Sequence, residues 1–279
     1  MKKLAIKVFT DPACPYAYSA EPSRWRLRWL YGDQLQWRET MIVLSGYQEE
    51  TSARTPEQIA KNFTSLREQY GMPINDRPRP RLATSVEACR AYVAARRHEP
   101  AKAELLLRRL RVAAMGGELL DAPAVIEKAV ADAGLDVETW RGWTTEPATE
   151  QELMKDAEAA RRPSDVARGF RRKLSETSTG RLRYSAPSYQ FMDGTTILFE
   201  LPGFWPLEAY EAAIGNLAPE LTRADDPQSV VEVLRWAGVP LATKEVAVIC
   251  NKGLDAVRAE LEKAADFTPL GQDGFWKFG

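Results

Sequence analysis

Apolar and polar positions partly alternate across residues 4–9, and the turn-prone run Thr10-Asp11-Pro12 follows. This pattern predicts a strand buried in a sheet. Residues 19–31 carry Trp25 and Trp29 one helical turn apart. Residues 35–44 form the next predicted strand, with Trp37, Met41 and Val43 on one face. From there to about residue 180 the pattern is helical. Thr55-Pro56-Glu57-Gln58 reads as a capping box with proline at the first helical position. Thr84-Ser85-Val86-Glu87 and Thr149-Glu150-Gln151-Glu152 repeat the signature. Alanine-rich stretches at residues 101–115 and 123–133 fill the interval, and the proline-rich residues 72–80 read as a surface loop.

Asp193-Gly194 lies between the runs 189–192 and 195–200 and signals a hairpin, because the pair readily adopts the positive backbone dihedrals of a tight turn. A helix over residues 207–214 follows. Near residues 222–227 the composition becomes that of a linker. Beyond it come helices at about 228–237, 243–250 and 254–265, then a two-stranded wing from 267–270 and 275–278. Residues 1–221 thus read as an α/β domain with a helical insertion at about 45–180, and residues 226–279 as a small winged-helix-like module.

Composition narrows the classes. A chain of 279 residues can bury a full core, and 44% hydrophobic with 28% charged residues is ordinary for a globular protein. A net charge of −1 gives no global reason to bind nucleic acid or a membrane. The third helix of the tail carries Asp255, Glu260 and Glu262 against Arg258 and Lys263, whereas a groove-reading helix is usually basic. Met1-Lys2-Lys3 is basic, but the apolar run after it is too short for a signal-peptide core. No stretch approaches the roughly 18 apolar residues of a membrane span. Three cysteines, Cys14, Cys89 and Cys250, argue against a disulfide scaffold and point to a reducing cytoplasm. With His98 as the single histidine, no metal site is expected.

The candidate chemistry centres on Cys14, which follows the first strand and a short turn and precedes Pro15 at a helix start. Backbone N–H groups there favour a thiolate, so an exposed, reactive thiol is expected in place of a small buried hydrophobe. Asp11 caps the helix start or exchanges a proton with the thiol. Tyr16 and Tyr18 rim a ligand groove or pack against the strand. Cys89 shares a helical face with Val86 and Val93, which suits packing, the other reading being a resolving thiol. Cys250 lies on a core stripe with Val246 and Ile249. Arg77, Arg79 and Arg81 form a solvated cluster or hold an anion. Phe204-Trp205 and Phe275-Trp276 anchor a core or form a docking patch.

The run Asp11-Pro12-Ala13-Cys14-Pro15-Tyr16-Ala17-Tyr18 resembles the DsbA-like branch of the thioredoxin superfamily, whose members carry Asp-x-x-Cys-Pro-x-Cys after the first strand. Glu21-Pro22 and Leu27–Gly32 are similar to that family's first helix, and 183–189 to its cis-proline loop. The tail, from Ala242 to Phe278, and Leu201-Pro202-Gly203-Phe204 resemble the SpxH/YjbH adaptors. The resemblance implies a thioredoxin-like sheet with a large helical insertion, a cis Pro187, and a substrate clamp at Ala186, Pro187 and Ser188 beside Pro15, Tyr16 and Tyr18. The chain departs from the dithiol pattern at Ala17, where the second cysteine would stand.

Three functions are compatible with these residues. The first is monothiol exchange through Cys14, as disulfide isomerase or reductase or in removing small-thiol adducts. It needs no cofactor beyond a low-molecular-weight thiol as co-substrate, and protein thiols or disulfides are its partners. The second is a non-enzymatic SpxH-like protease adaptor. The third is a glutathione-type transferase or isomerase of the kappa or 2-hydroxychromene-2-carboxylate isomerase type, whose Ser-Pro-Tyr-Ala-Tyr-like motif differs from 14–18 at the nucleophile.

Overall fold

The computed structural model describes residues 3–46 and 55–279; residues 47–54, part of the expected insertion, lie outside them. Strand β1 (Leu4–Thr10) leads through the short helix α1 (Pro15–Ser19) into α2 (Glu21–Tyr31) and β2 (Leu35–Met41). The insertion follows, with α3 (Pro56–Tyr70), α4 (Val86–His98), α5 (Pro100–Gly116), α6 (Pro123–Asp132), α7 (Val137–Thr144), α8 (Pro147–Ala160) and α9 (Asp165–Gly169). The small pair β3 (Leu174–Glu176) and β4 (Leu182–Tyr184) returns the chain to the hairpin β5 (Ser188–Asp193) and β6 (Thr196–Leu201), and α10 (Leu207–Leu217) closes the domain. The tail holds α11 (Val230–Ala237), β7 (Leu241–Ala242), α12 (Thr243–Cys250), α13 (Leu254–Leu261), β8 (Asp266–Leu270) and β9 (Asp273–Lys277).

The central sheet has the order β2-β1-β5-β6, with β1 parallel to β2 and antiparallel to β5. Leu4, Ile6 and Val8 alternate along β1 and bury against Leu27 and Leu30 of α2 and Tyr210 and Ile214 of α10. Phe9 points the other way and stacks on Tyr184 at 4.3 Å. The fold is therefore the expected thioredoxin-like sheet with a large helical insertion. The core of the insertion, around Cys89, Tyr92, Leu106, Leu110 and Leu153, also takes in Tyr18 of α1, Met41 of β2 and Phe275 of the tail.

Four local expectations need correction, each for a physical reason. The helix expected over 19–31 begins at Glu21, after the separate turn α1; Pro22, in the first turn of α2, has no N–H to continue α1. Strand β2 stops at Met41, because Val43 sits at φ 57°, a left-handed conformation that costs a β-branched residue about 1–3 kcal/mol. Arg161 holds that bend by donating to the carbonyls of Ile42, at 2.8 Å, and Val43, at 3.3 Å. The Thr55 capping box forms, but at α4 the cap Ser85 turns its hydroxyl to Asp11 instead. Helix α8 starts ahead of Thr149, whose hydroxyl donates to Trp143 O.

The tail forms three helices and a three-stranded sheet of order β7-β9-β8. Its core of Val233, Val246, Ile249, Val257 and Trp276 also takes in Trp25 from α2. Arg108 of α5 donates to both carboxylate oxygens of Glu245 at 2.7 and 2.8 Å, and Arg26 donates to Ile249 O at 2.5 Å. The segment before the tail is pinned too: Trp29 Nε1 donates to Asp225 O, and Ala224 N to Leu30 O, both at 2.8 Å.

Burying these charges makes each partner necessary. Replacing Glu245 by alanine leaves the buried Arg108 guanidinium with only the Pro240 carbonyl, at 2.7 Å, and the more distant Glu21, at 3.5 Å, which is expected to cost about 3 kcal/mol in chemical denaturation. The pair formed by Glu39 with Arg24 has a readable pH signature. Burial penalises the Glu39 carboxylate, but Arg24, the Tyr92 hydroxyl and Arg28 outweigh it and hold Glu39 down to about 2. A depressed carboxylate stabilises the fold above its unfolded value of about 4.3, and that contribution is lost as pH falls through the folded value. Acid titration of the Glu39→Gln variant should therefore lack a loss of about 3 kcal/mol that the parent shows between roughly pH 4 and 2.

Candidate active site

Strand β1 ends at Thr10, and the turn after it is built around Asp11, which is fully buried. Its Oδ1 accepts from Ala13 N at 2.7 Å. Its Oδ2 accepts from Leu44 N and the Ser85 hydroxyl, each at 2.8 Å, and from Cys89 Sγ at 3.5 Å. Cys14 N donates to Asp11 O at 3.2 Å, so one residue fixes the loop carrying the thiol. Burial pushes the Asp11 carboxyl up, and these four donors hold it back. Asp11 is therefore not the expected helix cap. The N-cap of α1 is Cys14 itself, and no side chain caps it.

Cys14 sits on the floor of a cleft of about 580 Å³, and its Sγ lies 3.4 Å from Ala186 O, to which it donates. The Ala186–Pro187 bond is cis, as expected. The thiol is not exposed, however: Cys14 is only 5% accessible. Burial dominates its titration and pushes it up to about 11, with the nearby Asp11 carboxylate adding to the rise. The N–H groups of Ala17 and Tyr16 and the charge of Arg111 pull the other way but lose. A helix of five residues supplies only a small dipole, which is why the sequence-based expectation of an activated thiolate fails.

The other candidate residues divide. Pro15 opens α1 and lines the cleft, and Tyr16, 39% exposed, stands at its rim edge-on to Tyr70. Tyr18 does not line it: the side chain is fully buried in the insertion core and donates to Pro73 O at 2.8 Å. Ser188 is also no clamp residue. Its hydroxyl donates to Ser185 O at 2.6 Å and accepts from Gly203 N at 2.8 Å, beneath the loop. Ser185 and Ala186 present the loop to the cleft, while Pro187 is buried behind them. Cys89 packs in the insertion core and turns its sulfur to Asp11, leaving Cys14 in a different cluster; no resolving thiol is built here. Ala17, at the position of a second cysteine, is buried beside Cys14.

The sequence reading missed the far wall. Asn62 and Tyr70 from α3, Arg172, Lys173 and Arg183 around β3 and β4, and Phe204 after β6 complete the cleft, which has three cations and no carboxylate among its described lining. One signal was available. A Cβ on Gly203, at φ 74°, would meet Lys173 O at 2.9 Å, so only glycine lets the Phe204 loop approach the cationic segment. The arginines of 77–81 belong elsewhere. Arg79 lies over Phe63 at 4.9 Å and Arg81 forks onto Asp121 at 2.6 and 2.8 Å, so these two are not simply solvated. Among the described residues no cluster of His, Cys, Asp and Glu could hold a metal ion, and no helix is long and apolar enough to cross a membrane.

With this geometry in hand, comparison places the chain among known folds. The profile of the DSBA-like thioredoxin domain matches residues 5–164. A Nitrosomonas europaea structure assigned as a protein disulfide isomerase is 17% identical, with a TM-score of 0.62 over 78% of this chain and 99% of that one. A Streptomyces coelicolor structure assigned as a DsbA oxidoreductase is 16% identical, with a TM-score of 0.56 over 80% and 93%. The cytosolic disulfide reductase DsbM from Pseudomonas aeruginosa is 14% identical, with a TM-score of 0.53 over 78% and 100%. At these identities the likeness is one of fold. No curated protein matches the sequence.

The electrostatics of the thiol give a direct test. In a Cys89→Ser, Cys250→Ser background, the alkylation rate of Cys14 should keep rising with pH toward about 11, where a thiol free in solution levels off near 8.5.

Proposed function

We propose that this chain, which belongs to the DSBA-like thioredoxin domain family, is a monothiol exchanger that takes small-thiol adducts from protein disulfides in a reducing cytoplasm. The observation that carries the reading is Cys14 on the cleft floor, against the Ala186 carbonyl, with Ala17 where a resolving thiol would stand. The Cys14 thiolate attacks the small-thiol sulfur of a mixed disulfide. The protein thiolate leaves reduced, and the small thiol remains bonded to Cys14. An external thiolate then attacks that sulfur, leaves as a small-molecule disulfide and frees Cys14. The electrons come from the external thiol, and the chain itself ends unchanged. Arg172, Lys173 and Arg183 supply the positive field that an anionic small thiol and the developing thiolates need.

The raised thiol sets the rhythm of this cycle. Burial, which pushes the Cys14 thiol up to about 11, keeps it almost wholly protonated at neutral pH, so attack is slow. The same property makes Cys14 a poor leaving group, so its adduct persists. Burial of the thiol also favours a second reading, in which the cleft binds a protein segment without covalent chemistry, as in the SpxH-like adaptors.

Turnover of a small-thiol mixed disulfide separates the two. The rate is expected to be first order in external reduced thiol and to vanish in Cys14→Ser; turnover surviving in Cys14→Ser, or absent altogether, would leave the binding reading in its place. In Ala17→Cys the new thiol is expected to form a disulfide with Cys14 under mild oxidant, read by the loss of two free thiols, and to release bound adduct without external thiol.

A further inference from the structure

The Cys14 cleft does not end at Phe204. Tyr70 and Phe204 are shared with a second cavity of about 660 Å³, whose opposite wall belongs to the tail. That wall is made by Lys244, Ala247 and Val248 of α12 and by the turn 251–254 between α12 and α13. The near walls are the start of α2, the C-terminal end of α3, the Phe204–Leu207 segment and the start of α10. Each cavity alone falls within the roughly 300–1,000 Å³ of a small-ligand site, and the two end to end exceed it. Exposed apolar side chains lie in both cavities, Tyr16 at 39% and Leu254 at 41%, and the ring contacts Tyr16–Tyr70 and Tyr70–Phe204 run from the Cys14 cleft to the residues the two cavities share.

Charge identifies the occupant. The linings of the two cavities hold seven cationic side chains and two carboxylates, Glu208 and Glu211, in a chain whose net charge is −1. Several of the cations are already paired, Arg26 with Asp226, Lys252 with Glu260 and Arg223 with Glu211. Arg172 in the lining of the Cys14 cleft and Lys244 of the tail have no carboxylate partner among the described residues, and they stand in different halves of the groove. Positive charge at both ends, with aromatic rings between, complements an extended segment carrying acidic and aromatic side chains.

We propose that the tail forms the far half of a groove that leads to Cys14 and receives an extended, acidic segment of a partner polypeptide. This deepens the exchange reading by naming the kind of protein chain that brings its disulfide to Cys14, and it rests on that reading only for the covalent step.

A fluorescein-labelled, cysteine-free peptide of alternating Glu and Tyr residues tests docking separately from chemistry. Anisotropy titration of the full chain should show saturable, salt-weakened binding that persists in Cys14→Ser. Lys244→Glu and Arg172→Glu should each loosen it by about ten-fold, and a Lys–Tyr peptide of equal length should bind at least that much more weakly. Equal binding of the two peptides would overturn the proposal. So would weakening by Arg172→Glu alone, because the occupant would then be confined to the Cys14 cleft. Docking that holds while turnover is absent would refute the exchange chemistry and leave the groove standing.

Discussion

One buried carboxylate organises the functional face. Asp11 lies at the end of β1 with no access to water, and its two oxygens gather the active-site turn, the bend after β2 and the start of α4. A buried acid left unpaired would be strongly destabilising, so each donor is needed where it stands. That requirement explains two departures from local rules. Ser85 gives up capping α4 to reach Asp11, and the chain accepts a left-handed Val43 so that Leu44 N–H can do the same. The thiol inherits its place from this arrangement, and its environment as well: it is held in the dry edge of the core, beside a carboxyl group, where the neutral form is favoured.

The second organising element is ionic. Glu21, Arg108, Arg111 and Glu245 link α2, the insertion and the tail through buried pairs, and Trp25 fills the tail's core from α2. Such pairs gain little over an apolar core of the same shape but are costly to break singly. They hold the turn 251–254 in register with α3 and the Phe204 loop, so the groove leading to Cys14 has a fixed far wall.

Much of this was legible in the residues. The strand–turn–Cys14–Pro15 run and the Asp193-Gly194 hairpin rest on short-range chemistry, the cis Pro187 on the family resemblance alone, and each lies where it was expected. What failed was whatever depends on long-range burial. Of the two readings open for Tyr18 the packing one holds, and Ser188, placed in the clamp by the resemblance, is turned inward by the period of the local backbone. Activation of Cys14 was inferred from a helix start, and desolvation, invisible in one sequence, outweighed it. The cationic wall was missed because Arg172, Lys173 and Arg183 meet Cys14 only after the whole insertion has folded between them.

In the proposed cycle Cys14 holds its adduct because it is a poor leaving thiol and has no internal partner. The most direct test is the lifetime of that adduct, followed by intact mass in the Cys89→Ser, Cys250→Ser chain after loading with an oxidised small thiol and removing the excess. One small-thiol adduct per chain is expected, surviving at neutral pH and decaying in proportion to added reduced thiol. Failure to form an adduct, or its rapid loss with no thiol added, would contradict that cycle.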